Sequence, residues 1–144
     1  MDERTGDQDV SLRERLAAGG FAVTAEISPP RGAGTQQITA TAALLKDWVD
    51  AVNVTDNQGS HVRLASWAGS LAVISAGLEP VMQMTCRDRN RIALQSDLLG
   101  ACALGIRTVL VMTGDHPKFG DHPGAKPVFD LDSVQLLWTL RTMR

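Results

Sequence analysis

The sequence predicts an α/β fold built on a parallel sheet, and three observations carry that prediction. Four short apolar runs, FAVTAEI (21 to 27), DAVNVTD (50 to 56), PVMQMTC (80 to 86) and TVLVMTG (108 to 114), follow one another along the chain. Their starts lie roughly thirty residues apart, a spacing that suits a strand, a loop, a crossover helix and a return. The segments between them place apolar residues at helical spacing, as with Ile92, Leu94, Leu98, Leu99 and Ala103. The order βαβαβαβα then implies parallel strands joined by right-handed crossovers.

Each element has a local reason. Residues 1–10, MDERTGDQDV, are polar and acidic and read as a mobile leader, with one domain over 11–144. SLRERLAAGG reads as a short N-terminal helix, with Ser11 as N-cap and Gly19-Gly20 as its stop. TQQITATAALLKDWV, HVRLASWAGSLAVISAG and DRNRIALQSDLLGACALGI read as the three crossover helices, and Gly77 and Gly105 fall at C-cap positions. A long loop rich in Gly and Pro follows the fourth strand. DSVQLLWTLRTM then reads as a last helix starting near Asp132 or Ser133.

Bulk properties narrow the function classes. The 144 residues suit one domain with one core. Hydrophobic residues make up 44% and charged ones 21%, which is ordinary globular usage. A formal net charge of -2, with no long basic run, argues against a nucleic-acid partner and for a small-molecule one. No apolar run approaches bilayer length. The two cysteines, Cys86 and Cys102, with no signal peptide ahead of them, point to a reducing cytoplasmic setting. Cys102 reads as helix core, and Cys86 as a small residue at a strand end.

Strand parity locates the candidate chemistry. Side chains alternate faces along a strand, so Thr24, Glu26 and Ser28 share one face, as do Asn53, Thr55 and Asn57. Gln83 with Thr85, and Thr113 with Asp115, continue that polar set toward the strand C-termini. A βα barrel and an open doubly wound sheet both put ligands there, so parity alone does not choose between them. Glu26, near the end of a buried strand, is either a proton donor whose pKa is raised by burial or a carboxylate held by an Arg or a helix N-terminus. Asp115 either faces a ligand at the mouth of the fourth strand or caps the turn after Gly114.

Three other features bear on the site. Asp-His-Pro occurs at 115–117 and again at 121–123. Two Asp and two His within one loop are metal-ligand types, but no HxxxH or CxxC spacing accompanies them, and a solvated functional loop without metal is expected. Arg87, Arg89 and Arg91 in TCRDRNR form either an anion site at a helix N-terminus or a set of salt bridges, for which Asp88 and Asp97 are candidate partners. No GxGxxG or GxxxxGK[ST] loop is present.

Taken together, FAVTAEISPPRG, VNVTDN, EPVMQMTCRDRNRIALQSDLLGACALGIRTVLVMTGD and GDHPGAKPVFDLDS resemble the N-terminal half of the methylenetetrahydrofolate reductase family. The closest likeness is to the bacterial branch that includes reductase domains fused to homocysteine methyltransferases, over about residues 11 to 144. The resemblance implies a TIM-barrel type fold, here a half-barrel of four βα units preceded by the short helix. It implies a flavin, FAD, that takes hydride from NADH or NADPH and passes it to 5,10-methylenetetrahydrofolate, giving 5-methyltetrahydrofolate for one-carbon metabolism and methionine synthesis. By position, Glu26 resembles the family's general acid and Asp115 the Asp beside flavin and pterin. Thr55, Gln83, Thr113, Gly114 and Phe129 match positions that touch the flavin. Some members carry His where this chain has Gln83, and Arg where it has Thr113.

The number of units departs from that family. A TIM barrel has eight βα units and typically about 250 residues, whereas four are read here. The expectation is therefore a fragment with a missing C-terminal half, or a homo-oligomer of paired half-barrels, because an unpaired half exposes two sheet edges. Two other readings stand beside the reductase. One is a non-catalytic half-barrel that binds a pterin, a flavin or a partner subunit; the other is a metal-dependent βα-barrel lyase using the His116 and His122 loop.

Overall fold

The computed structural model of the chain describes residues 10–143. The leader expected over residues 1–10 therefore lies almost wholly outside the described residues. Five α-helices and four strands alternate as expected: α1 (Leu12–Ala17), β1 (Thr24–Ile27), α2 (Gln36–Leu45), β2 (Ala51–Val54), α3 (Ser66–Ser75), β3 (Pro80–Thr85), α4 (Arg91–Ala103), β4 (Thr108–Met112) and α5 (Ser133–Thr142). Single 3-10 turns sit at Gln58–Ser60 and Pro117–Phe119, in the loops after β2 and β4.

The strands form one parallel sheet in the order β1-β2-β3-β4. Chain order and spatial order coincide, so each crossover returns to the adjacent strand, as in a half-barrel of TIM type. Register brings Glu26 beside Asn53, Asn53 beside Val81, and Gln83 beside Leu110. One face therefore carries Thr24, Glu26, Asn53, Thr55, Val81, Gln83, Thr85, Leu110 and Met112.

The other face is the main core. Ile27, Val52 and Val54 pack with Ile38 and Ala42 of α2 and Ala72 and Val73 of α3. Met82 and Met84 pack with Leu94, Leu98 and Ala101 of α4 and Leu131 and Leu136 near α5. Strand β3 is buried along its whole length, as a central strand covered on both sides should be.

Local chemistry sets the element ends. Ser11 and Glu14 form a reciprocal capping box, as do Asp132 and Gln135. The Asn90 side chain accepts from the amides of Ile92 and Ala93 at the start of α4. Gly77 and Gly105 end α3 and α4 with positive φ.

Helix α1 has a role that the sequence pattern does not show. Leu12 packs against Ala51 and Val81 on the polar-bearing face of the sheet, plugging its N-terminal end. Glu79 fixes that plug, accepting from the Leu12 amide at 2.8 Å and from the Thr108 hydroxyl at 2.6 Å.

Two sequence expectations are corrected. In α4 the buried stripe is Leu94, Leu98 and Ala101, while Ile92 and Leu99 are exposed. Cys102, expected in the helix core, is exposed, and its sulfur accepts from Arg107 at 3.3 Å. Both follow from the same rotation: the sheet meets the helix about one position from where the apolar pattern centres.

Candidate functional site

The C-terminal ends of the four strands, and the loops after them, gather the polar side chains. Glu26 is exposed on the face it shares with Asn53 and Gln83. The Gln83 amide reaches across the intervening strand and donates to Glu26 Oε2 at 3.1 Å. Gln83 is itself buried, at 7% exposure, so a nearly inaccessible amide orients a solvent-facing carboxylate. Asn53 holds the strand below, donating to Thr24 Oγ1 and to the Ala25 carbonyl. The two residues singled out on separate strands, Glu26 and Gln83, thus form one unit. A shallow hollow beside Glu26 is lined by Ser28, Pro30, Gln37 and Thr41.

Thr55 is buried at the tip of β2, its hydroxyl donating to Ser28 Oγ at 3.3 Å. The next residue, Asp56, is a buried carboxylate not singled out from the sequence. Its Oδ2 accepts from the amide and hydroxyl of Thr85 at 2.9 and 3.0 Å, and from Arg89 at 2.8 Å. Its Oδ1 accepts from the other Arg89 nitrogen at 3.1 Å. Asp56 thereby locks the ends of β2 and β3 together. A carboxylate two residues beyond a buried strand, with an arginine cluster elsewhere, was the available signal.

The arginines of TCRDRNR resolve as ion pairs. Arg89 also meets Asp97 at 3.0 Å, and Arg91 meets Asp130 at 2.9 Å. Burial works against the charged form of Arg89, but hydrogen bonds and charge from Asp56, then Asp97 and Asp88, raise its pKa. Arg87, only 2% exposed, forks onto both Asp88 oxygens at 2.8 and 2.7 Å. Burial raises Asp88, and the hydrogen bonds and charge of Arg87 more than reverse that, leaving it lowered. The anion-site reading of these arginines therefore gives way to a framework of paired charges.

Beyond β4 the face alternation expected for Thr113 and Asp115 breaks. Register puts Leu110 and Met112 on the site face, so Thr113 belongs with Val109 and Val111 toward the helices. Its hydroxyl donates to Ser133 Oγ and accepts from the Ser133 amide, both at 3.3 Å, at the start of α5. Gly114, at φ +95, then redirects the backbone. A side chain there would meet Thr85 Cβ at 3.0 Å and Arg87 Cβ at 3.2 Å. Asp115 emerges exposed, its carbonyl accepting from Ser60 at 3.1 Å and from Arg87 at 3.4 Å. Phe129 is half-buried at φ 40, one residue after the Val128 amide donates to the Arg87 carbonyl at 2.8 Å.

The two Asp-His-Pro units do different things. His116 Nδ1 accepts from the Lys118 amide and caps a 3-10 turn. Asp121 accepts from the Val62 amide at 3.1 Å and lies 3.6 Å from Arg31, so it seams the β4 loop to the β2 and β1 loops. Among the described residues no group of three or more His, Cys, Asp or Glu side chains is placed to hold a metal ion. No described helix is long and apolar enough to cross a membrane.

The ends of the strands thus present the paired side chains of Gln83 and Glu26, a buried threonine and the exposed Asp115 around an open face. In comparison with known proteins, the sequence model of the family described as Methylenetetrahydrofolate reductase matches residues 11–142. No curated protein gives a significant match.

Proposed function

The chain belongs to the methylenetetrahydrofolate reductase family, and from that membership we propose that it acts in the flavin-dependent reduction of 5,10-methylenetetrahydrofolate to 5-methyltetrahydrofolate by NADH or NADPH. The observation that carries this reading is the Gln83 to Glu26 hydrogen bond of 3.1 Å on the open face of the sheet.

The residues present fit a flavin ring. An isoalloxazine needs apolar surface beneath it and hydrogen-bonding groups along its edge. Leu110, 43% exposed, lies beside Gln83 in register and supplies the first. Gln83, Thr55, the Thr113-Gly114 backbone and Asp115 supply neutral groups and one carboxylate, with Phe129 at the return of the loop. FAD, when bound, supplies hydride transfer from the nicotinamide to the folate.

Glu26 is the proton donor. It faces solvent and substrate, and the Gln83 amide fixes its orientation. Proton donation to the substrate's imidazolidine ring opens it to an iminium cation. Asp115, carried on a loop held by Ser60 and Arg87, places a negative charge near that cation. With free Cys86 and Cys102, we place the protein in the cytoplasm.

Glu26→Gln tests the assignment. Flavin reduction by NADH should stay within about twofold, while folate reduction falls by about 10²–10⁴, the usual contribution of a general acid. Folate turnover near the wild-type rate would rule out the proton-donor role.

One observation favours a second reading. Among the described residues, strands β1 and β4 each pair on one side only, leaving both edges of the parallel sheet open. In that reading the four units bind flavin or pterin, and turnover requires a partner, either a second copy or a separate C-terminal half. Solution mass together with NADH oxidation discriminates: turnover by a monomer would eliminate it.

A further inference from the structure

We propose that Arg87 is a positioning residue that sets the placement of Asp115, and through it the binding of the ligand at this site. Every N–H of a guanidinium has a direction, and each of Arg87's is engaged. Nε and one Nη2 hydrogen go to Asp88 at 2.8 and 2.7 Å. The other Nη2 hydrogen goes to the Asn57 carbonyl at 3.3 Å. The Nη1 pair goes to Ser60 Oγ at 3.1 Å and the Asp115 carbonyl at 3.4 Å. The group therefore joins the loops after β2, β3 and β4, and no N–H is left over for an incoming anion.

The receiving loop is built for this contact. Asn57 and Ser60 both sit at positive φ, 48 and 61, conformations that non-glycine residues hold only when neighbours over-determine them. That backbone turns the Asn57 carbonyl and the Ser60 hydroxyl toward Arg87. Ser60 Oγ in turn bridges to the carbonyls of Asp115 and His116 at 3.1 and 3.3 Å. The Asp115 peptide is thus held from two sides, and its carboxylate is left exposed. Lysine at position 87 keeps the charge but offers only a compact ammonium with rotating donors, which cannot reproduce the planar fork.

The inference rests on reading Asp115 as facing the ligand, so the experiment separates the two ideas. Hydrogen–deuterium exchange on the apo chain is compared for wild type, Arg87→Lys, Arg87→Met and Ser60→Ala, with FAD titrated into each. Exchange across residues 114–118 should rise about tenfold in both Arg87 variants and about threefold in Ser60→Ala, from the loss of one or more hydrogen bonds. Exchange in α4 should stay unchanged. FAD affinity should weaken by about tenfold in both Arg87 variants, because charge without the fork does not rescue. If the Arg87 variants fail to fold, Ser60→Ala decides.

Unchanged exchange at 114–118, rescue by Arg87→Lys, or faster exchange with undiminished FAD affinity would each overturn the proposal. Failure of the wild-type protein to bind FAD would instead remove the flavin reading of the site, and the exchange pattern would still decide whether Arg87 holds the loop.

Discussion

Replacing Asp56 by Asn should be one of the most damaging single changes in this fold. The Asp56 side chain is wholly buried and accepts four hydrogen bonds, two from Thr85 and two from Arg89. Three of those donors converge on Oδ2. An amide nitrogen there would face donors, and an amide oxygen there would turn the nitrogen toward the second Arg89 nitrogen. In both orientations Arg89 loses its buried ion pair and one of its two hydrogen bonds to residue 56, and its remaining salt bridge is to Asp97, a partner 36% exposed. Breaking one side of a buried ion pair costs about 3–5 kcal/mol, a large part of the roughly 5–15 kcal/mol that holds an ordinary domain together. Urea unfolding followed by tryptophan fluorescence reads the loss. Asp97→Asn is the control, expected at about 0–1 kcal/mol because an exposed partner is screened. An Asp56→Asn cost below about 1 kcal/mol, or equal to that of Asp97→Asn, would refute the role given to this carboxylate. Asp56→Leu combined with Arg89→Met should be milder than the single change, since removing both charges leaves neither uncompensated.

Gly114→Ala should cost about 1–3 kcal/mol, because φ +95 strains any side chain and the new methyl meets the Thr85 and Arg87 Cβ atoms; an unchanged urea midpoint would contradict it. Acid stability should carry a signature of the Arg91–Asp130 pair. The Arg91 side-chain and backbone hydrogen bonds hold Asp130 down at about 2, against an ordinary 3.8. Since the folded-state value lies below the unfolded one, the stabilisation is complete above about pH 4 and disappears as pH falls toward 2. Asp130→Asn should flatten the unfolding midpoint across that window and leave it unaltered in slope above pH 5.

Elements whose limits are set by nearby chemistry were readable directly. The capping side chains of Ser11 and Asp132 act within three residues, and the positive φ of Gly77 and Gly105 needs no tertiary partner. Parity likewise put Glu26 and Gln83 on one face. Their direct bond was beyond reach, because it depends on the register of β1, β2 and β3 together. Asp56 and Ser60 escaped notice for a related reason: each works across residues 25 or more positions away. Thr113 went astray because the register of β4 against β3 decides which of its two parities faces the site, and the turn at Gly114 separates it from Asp115. The buried stripe of α4 could not be told from its neighbours, since Ile92 and Leu99 extend the apolar pattern onto a face the sheet never touches.

The loop from 113 to 132 also bears on where this chain can be altered. Loops of such length usually tolerate inserted residues anywhere near their tips. Here Asp115 and His116 are tied to Ser60, Asp121 to Val62, Val128 to Arg87, and Asp130 to Arg91. Gly120 lies so close to the Ser60 carbonyl that even a methyl group has no room. Room for change is confined to residues 122–127, all of them exposed. A spectroscopic label, an epitope or a short graft placed there should leave the strand ends undisturbed, whereas one residue added between 115 and 121 would pull three loops out of step.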